Sequence, residues 1–194
     1  MPVTGGRALR ADAQRNRDRL LEVAVRAFSA EGPDVTLEAV AREAGVGIGT
    51  LYRHFPTREA LVEAAYRNEL ARLCDAAGEL LASLPPDEAA RTWMDRFVDY
   101  MTTKRGMAEA LRAVIASGGN PYATSRDQMI AALGKLLSAG AAAGTLRADV
   151  EPADLLAGLS GVSLAAGDPT QRKQARRLLD LLMDGLRYGA GALG

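Results

Sequence analysis

Apolar residues recur at helical spacing along almost the whole chain, and they define most of its predicted elements. The first clear stripe consists of Leu20, Val23, Ala24, Ala27 and Phe28. This i, i+3, i+4 spacing predicts one buried helix face, and the glycine and proline at positions 32 and 33 end the helix. The sequence lacks the two signals that predict a β-hairpin, namely a sustained period-two alternation and an Asn-Gly or Asp-Gly turn. The pattern therefore predicts an all-α protein.

Residues that cap or break helices divide the chain into about nine predicted helices with short connections. Thr36 and Thr57 are predicted N-caps, because a threonine oxygen accepts from the free N–H groups of a first helical turn. Proline follows Asn120, Glu151 and Asp168, which predicts three later helix starts. The expected helices span about 15–32, 36–44, 47–54, 57–83, 87–103, 106–116, 120–143, 151–165 and 168–188.

Residues 36–55 combine two short apolar patterns with a tight turn between them. Ala41 is small enough for two helices to approach closely, and Gly45 gives the backbone the freedom that a sharp turn needs. The residues expected to hold the second helix on the first are Val46, Leu51 and Phe55. This spacing is typical of a helix-turn-helix, whose second helix enters the major groove of DNA.

The N-terminal segment is locally basic, although the whole chain is not. The full sequence has 24 basic and 24 acidic residues, so its overall charge gives no argument for nucleic acid binding. Residues 1–19, in contrast, contain two aspartates and five arginines, namely Arg7, Arg10, Arg15, Arg17 and Arg19. We expect a basic arm that reaches a minor groove or the DNA backbone, with the first ten residues and the segment after residue 188 disordered.

The helix-turn-helix segment resembles the DNA-binding domain of TetR-family transcriptional regulators. The matching residues are Phe28, Thr36, Val40-Ala41, Ala44-Gly45-Val46, Thr50-Leu51-Tyr52, His54-Phe55, Arg58 and Leu61. The rest of the chain resembles the family only in length and helix order. The resemblance implies an N-terminal three-helix DNA-binding domain over residues 1–56, which includes the basic arm, and a C-terminal ligand-binding and dimerisation domain over residues 57–194.

The residues predicted to contact DNA lie on and beside the second helix of this motif. They are Thr36, Arg42, Gly47, Ile48, Thr50, Tyr52, Arg53, His54 and Arg58. Hydroxyl, imidazole and guanidinium groups donate to phosphate oxygens, and a helix N-terminus such as that at Thr36 suits a phosphate. Ile48 can meet a thymine methyl group, and Arg42 or Arg53 can read a guanine edge. The competing interpretations are a half-buried core side chain for Tyr52 and solvated surface charges for the arginines.

A second set of side chains is predicted to line a small-molecule pocket. Its members are Trp93, Phe97, Tyr100, Met101, Leu111, Ile115, Tyr122 and Met129, and the first four share one helix face. The resemblance implies that the helices after the DNA-binding domain form a cup around a small effector. Methionine and aromatic walls suit an adaptable apolar pocket. Ordinary core packing is the alternative for each of these residues.

The last two predicted helices combine leucines with small residues that permit close helix approach. The leucine-rich set is Leu155, Leu156, Leu159, Val162, Leu178, Leu179, Leu182 and Leu186, and the small residues are Ala157, Gly158 and Gly161. The resemblance implies a homodimer built from these helices, and a dimer suits DNA because recognition helices about 34–36 Å apart read successive major grooves. The hypothesis is a repressor released from its double-stranded DNA operator by a small molecule that shifts the fourth helix. A transcriptional activator and a helical protein-interaction module with a structural helix-turn-helix are the alternatives.

Other classes of function find little support in the sequence. The single histidine and the single cysteine favour neither a metal site nor an internal disulfide. The chain also lacks a phosphate-binding glycine loop with the required lysine and hydroxyl residue. No uncharged apolar run approaches the ~20 residues needed to span a bilayer, and no signal peptide is visible. We therefore expect a cytoplasmic protein with no enzyme activity, no cofactor and no metal.

Overall fold

The computed structural model describes residues 5–166 and 168–190, with side chains from residue 11 onward except at Pro33 and Pro169. Over these residues it contains nine α-helices and two short 3-10 turns, and none of them forms a strand. The helices are α1 (Gly5–Glu31), α2 (Leu37–Glu43), α3 (Ile48–His54), α4 (Arg58–Leu81), α5 (Pro86–Gly106), α6 (Ala108–Ala116), α7 (Ser125–Ala142), α8 (Pro152–Ala165) and α9 (Arg172–Arg187). The all-α prediction is therefore confirmed.

The chain divides into two compact units. The first contains Met1–Asn68 and Thr103–Pro121, and the second contains Glu69–Thr102 and Tyr122–Gly194. Both α4 and α5 therefore contribute residues to each unit. The expected division into functional domains at residues 56 and 57 stays a prediction, because compactness is a geometric property and does not assign a role.

The first unit is built around α1, whose apolar stripe packs on α2 and α3. Leu20, Ala24 and Phe28 have no exposed surface, as expected for the face that the i, i+3, i+4 spacing defines. The end of α5 belongs to the same unit and approaches α1 closely. A Cβ atom on Gly106 would come within 2.6 Å of the Ser29 carbonyl oxygen, so this approach requires a glycine.

The second unit has a core of large side chains from α5 together with the faces of α7, α8 and α9. Trp93 and Met94 are completely buried, and α8 packs on both α7 and α9. Charged pairs also fasten α9 to α5: Arg187 pairs with Asp87, and Arg91 pairs with Asp180 at 2.9 Å. Because these pairs are partly exposed, each contributes modestly to stability, and apolar burial is the main source of cohesion.

The N-terminal arm is not the disordered segment that the sequence suggested. Helix α1 begins at Gly5, about ten residues before the predicted start, so residues 5–10 are helical and the described arginines of the arm belong to α1. Alanine and arginine are strong helix formers, and this propensity extends the helix beyond the apolar stripe. Residues 1–4 and the side chains of Arg7 and Arg10 lie outside the described residues, as does the end of the tail from residue 191.

Two of the three proline-marked helix starts are displaced in the structure. Helix α7 begins at Ser125, because Pro121 is buried in the preceding turn rather than at the first helical position. Pro169 starts a 3-10 turn, and α9 begins only at Arg172. Pro152 does open α8, as predicted. The predicted cap at Gly167 lies outside the described residues.

Candidate nucleic-acid interface

A capped helix and a glycine turn fix the geometry of the α2–α3 motif. The backbone N–H of Ala39 donates to Thr36 Oγ1 at 3.1 Å, which confirms the predicted N-cap of α2. Gly45 has a φ of +68°, a left-handed conformation that side chains with a Cβ rarely adopt. The next N–H, that of Val46, donates back to the Ala41 carbonyl at 3.0 Å and closes the turn. The structure therefore contains the helix-turn-helix that the sequence indicated.

Helix α3 is held by one face and exposes the other. Leu51 and Phe55 are buried in the first unit, whereas Ile48 and Tyr52 keep 38% and 45% of their surface exposed. Burial of Leu51 directs Tyr52 outward, because adjacent residues on an α-helix point about 100° apart. Around Gly49 a Cβ atom would meet nothing within 4 Å, so the helix surface there is open.

The remaining predicted DNA contacts fall on this surface or at its edges. Arg42 and Arg53 are exposed, and neither side chain makes a hydrogen bond or ion pair with another described residue. Thr50 and His54 are half-buried, and Gly47 is the exposed N-cap of α3. The interpretation of Tyr52 as a core residue is disfavoured by its exposure. The assignment of each residue to DNA remains a prediction.

Arg58 differs from the other predicted contacts because its side chain is engaged within the protein. It is half-buried, and one guanidinium nitrogen, Nη1, donates to the backbone carbonyl of Val35. Its guanidinium carbon also lies 4.7 Å from the centroid of the Phe28 ring, within the range of a cation–π interaction.

Two arginines that the sequence assigned to the arm instead support the motif. The Arg17 guanidinium lies 5.6 Å from the centroid of the Phe55 ring, and Arg19 Nη1 donates to the Ala44 carbonyl at 3.3 Å. A cation at the carbonyl end of α2 is also favoured by the helix dipole. The signal that could have revealed Arg17 is its spacing, since it precedes the buried Leu21 by one helical turn and shares its face.

The residues predicted to bind an effector do not all belong to one unit. Trp93, Phe97, Tyr100, Met101, Tyr122 and Met129 are in the second unit, whereas Leu111 and Ile115 are in the first. The Trp93 indole N–H donates to the Leu73 carbonyl at 2.8 Å, and its ring stacks on Phe97 with centroids 5.8 Å apart. These contacts are those of a satisfied core, as the alternative interpretation expected, and the effector role remains a prediction.

The accessibility of the remaining set varies widely. Leu111 is completely buried and Met129 nearly so, while Met101 and Tyr122 are half-buried. Ile115, in contrast, exposes 48% of its surface.

Neither a reactive thiol nor a metal centre is found among the described residues. Burial, reinforced by the charge of Asp75, raises the pKa of the Cys74 thiol to about 11, so the thiol is protonated and weakly nucleophilic at neutral pH. Among the described residues, no group of histidine, cysteine and acidic side chains could hold a metal ion. Over the same part of the chain, every helix is too short or too polar to cross a bilayer.

Comparisons with known proteins agree with this geometry. Residues 20–65 match the family model described as bacterial regulatory proteins of the tetR family, and residues 85–188 match the C-terminal domain of SbtR-like transcriptional regulators. Curated HTH-type transcriptional regulators of Staphylococcus aureus are 43% identical over 54 residues, and the match spans 27% of this chain and 29% of those relatives.

Solved structures extend the similarity to most of the chain. The TetR transcriptional regulator SCO0520 from Streptomyces coelicolor is 61% identical, covers 88% of this chain and 98% of its own, and superposes with a TM-score of 0.85. A TetR transcription regulatory protein from Mycobacterium vanbaalenii is 39% identical, with coverages of 92% and 99% and a TM-score of 0.75. The chain therefore belongs to the TetR family of transcriptional regulators, and it is a DNA-binding regulator and not an enzyme.

The left-handed turn predicts a selective effect of replacing Gly45. Gly45→Ala should destabilise the first unit by about 1–2 kcal/mol, because a Cβ atom is disfavoured at positive φ. Gly49→Ala is the matched control: Gly49 lies within a helix in open space, so alanine should stabilise the protein by roughly 0.5–1 kcal/mol. Chemical denaturation of both variants measures the difference, and equal stability would contradict the role assigned to the turn.

Proposed function

We propose that this protein is a homodimeric repressor, which binds an operator in the cytoplasm and releases it when a small apolar effector binds. The observation that carries the proposal is the exposed face of α3, where Ile48 and Tyr52 project while Leu51 and Phe55 are buried. A dimer seated on an operator excludes polymerase without further contacts, so repression requires only DNA binding. The alternative is that the bound protein activates transcription instead of repressing it.

The side chains on and around α3 divide into two kinds of DNA contact. Tyr52, His54, Thr50 and Thr36 would hold phosphates through hydroxyl or imidazole donors, which orient the protein but read no sequence. Ile48 would meet a thymine methyl group, and Gly47 would let the backbone approach the bases. Arg42 and Arg53 carry exposed guanidinium groups that suit a guanine edge.

The salt dependence of DNA binding would count only those phosphate contacts that a cation of this region makes. Residues 1–56 hold eight arginines and seven acidic side chains, so no diffuse excess of positive charge attracts DNA. Affinity must then come from a few placed donors. Each phosphate neutralised by a cation contributes a slope of about 0.9 to the dependence of log K on log salt concentration.

The dimer is proposed to form through exposed faces of α8 and α9. Leu164 and Leu181 expose 79% and 67% of their surface, which is unusual for leucine on amphipathic helices whose other faces are buried. At Gly161 and Gly185 a Cβ atom would meet nothing within 4 Å, so another helix could approach closely. An exposed apolar face of this kind suits a second copy of the chain.

The spacing of charges on α9 supports a second copy as the partner. The exposed seam on α9 consists of Gln174, Arg177, Leu181 and Asp184. These residues follow the 3-4-3 spacing of a coiled coil and are separate from the buried stripe of the same helix. In an antiparallel pair centred on Leu181, two-fold symmetry places Arg177 opposite Asp184 of the partner subunit, and the reverse. The seam is thus complementary to itself.

Effector binding is proposed to act on the aromatic core of the second unit. Trp93, Phe97 and Tyr100 are buried, so an apolar ligand entering among them must displace packed rings. Such a ligand favours whichever conformation gives it space, and α4 offers a covalent route because it contributes to both units. Coupling of this kind is typically about 1–3 kcal/mol. The proposed set also includes Met101, Tyr122 and Met129 of the same unit, whereas Leu111 and Ile115 belong to the first unit and are left out of this proposal.

The DNA-binding proposal predicts a loss of affinity in Tyr52→Ala. Loss of a hydrogen bond to a charged phosphate costs about 1.5–3 kcal/mol, so the Kd should rise about tenfold or more. Tyr52→Phe removes only the hydroxyl, so it separates the contribution of the hydroxyl to DNA affinity from that of the ring. The stability of both variants should equal that of the wild-type protein, because the Tyr52 side chain is exposed. Gel shifts on a duplex selected by the wild-type protein measure the effect. In a reporter strain the same variant should raise transcription from a repressed promoter, whereas an activator would show a fall.

The dimer proposal predicts rescue by a charge exchange. Arg177→Asp or Asp184→Arg alone should weaken dimerisation, because each places like charges opposite each other twice across the two-fold axis. The double variant should restore it. Arg176→Asp, on a different exposed face of α9, is the matched control. Sedimentation measures the dimer dissociation constant, and a double variant as weak as the singles would exclude this register.

The effector proposal predicts a fluorescence response, because Trp93 is the only tryptophan. Apolar metabolites that raise the melting temperature should change Trp93 emission and release labelled operator over the same concentration range. Phe97→Leu should shift both responses to higher ligand concentration by opening the stack. Compounds that release DNA with no change in emission would place the effector elsewhere.

A further inference from the structure

Arg58 has a different environment from Arg42 and Arg53, although the sequence groups all three as DNA contacts. The two exposed arginines make no ion pair or hydrogen bond with a described side chain. Arg58 is half-buried, donates to the Val35 carbonyl and lies over the ring of Phe28. A guanidinium used in this way has fewer donors left for a phosphate oxygen than an exposed one.

We propose that Arg58 is a positioning residue of the DNA-binding unit and not a phosphate ligand. It joins the start of α4 to α1, through Phe28, and to the segment that leads into α2, through Val35. The inference rests on the proposed role of α3 in DNA binding and assigns what holds that helix in place.

The position of Val35 explains how its contact with Arg58 can affect α2 and α3. Val35 is buried and directly precedes Thr36, the N-cap of α2. Only four residues, 44–47, separate α2 from α3, and the closed turn at Gly45 leaves them little freedom. A displacement at Val35 is therefore carried by α2 to α3 and to the exposed Tyr52.

The chemistry of the contact requires arginine in particular. A guanidinium is planar, so one face can lie on an aromatic ring while N–H groups at its edge donate to a carbonyl oxygen. A lysine ammonium is a compact charge on a flexible stem and cannot hold both contacts in one fixed geometry. Loss of the planar group should therefore be felt even when the positive charge is retained.

Two other joints of the first unit each show one part of the Arg58 arrangement, a ring contact or a carbonyl hydrogen bond. Arg17 lies over Phe55, the residue that ends α3, and Arg19 donates to Ala44 at the end of α2. Cations from α1 and α4 thus hold the motif near its beginning, its turn and its end. This distribution favours an internal bracing role for Arg58, because contacts to phosphate would not require rings or carbonyls at each joint.

The test compares Arg58→Ala and Arg58→Lys with Arg53→Ala. The last variant is the control for the loss of an arginine that is exposed and not engaged within the protein. Each full-length protein is titrated with a duplex selected by the wild-type protein, over a range of salt concentrations and well below its melting temperature. The active fraction is fixed by stoichiometric titration, so that unfolded protein does not mimic weak binding. For both Arg58 variants we expect the Kd to rise by about tenfold, with an unchanged salt slope and a lowered melting temperature.

The outcomes separate the proposal from its alternatives. A fall of about 0.9 in the salt slope of Arg58→Ala would show a phosphate ligand and overturn the proposal, as would an unchanged Kd. If Arg58→Ala does not fold, Arg58→Lys decides: weakened binding together with a lowered melting temperature supports the proposal, whereas wild-type affinity, or weakened binding with an unchanged melting temperature, overturns it. A lowered melting temperature with wild-type Kd would show a merely structural role and also overturn it. A wild-type protein that binds no selected duplex would refute the proposed function instead.

Discussion

The seating of α3 by Leu51 and Phe55 is the constraint on which the rest of the structure depends. A helix of seven residues is too short to be stable by its own hydrogen bonds, so its position must come from packing. Burial of these two side chains in the first unit supplies that packing and turns Tyr52 and Ile48 outward. The outward face of α3 is thus a consequence of the buried one.

A short helix held by two apolar contacts also needs help at its ends, and the first unit provides it with charged side chains. Arg17, Arg19 and Arg58 each contact a ring or a backbone carbonyl at a joint of the motif. Arginine suits this use because it remains charged and has a long apolar stem. Arginine is a residue type that commonly binds DNA, and here it stabilises the α2–α3 motif. Only the surroundings of each arginine distinguish these two roles.

The second unit combines a closed interior with an exposed helical face. The Trp93 and Phe97 rings stack on each other, and the Trp93 N–H donates to the Leu73 carbonyl. On α9, the buried face of Leu179 and Met183 secures the helix, while Leu181 on the other side remains exposed. In the proposed function, the effector acts on this interior and a partner subunit binds the exposed face of α9.

The sequence by itself determined the helical fold, the motif and the family resemblance, because these depend on local chemistry. Periodicity places Leu20 and Phe28 on one face, Thr36 caps its own helix, and Gly45 permits the turn whatever lies around it. Tertiary structure decided whether the Arg58 side chain is exposed or bonded within the protein. It also decided whether Trp93 lines a pocket or is packed in the core. It also moved the starts of α7 and α9, since Pro121 is buried in a turn and Pro169 opens a 3-10 turn. Those outcomes depend on contacts between residues distant in the chain, which local spacing does not encode.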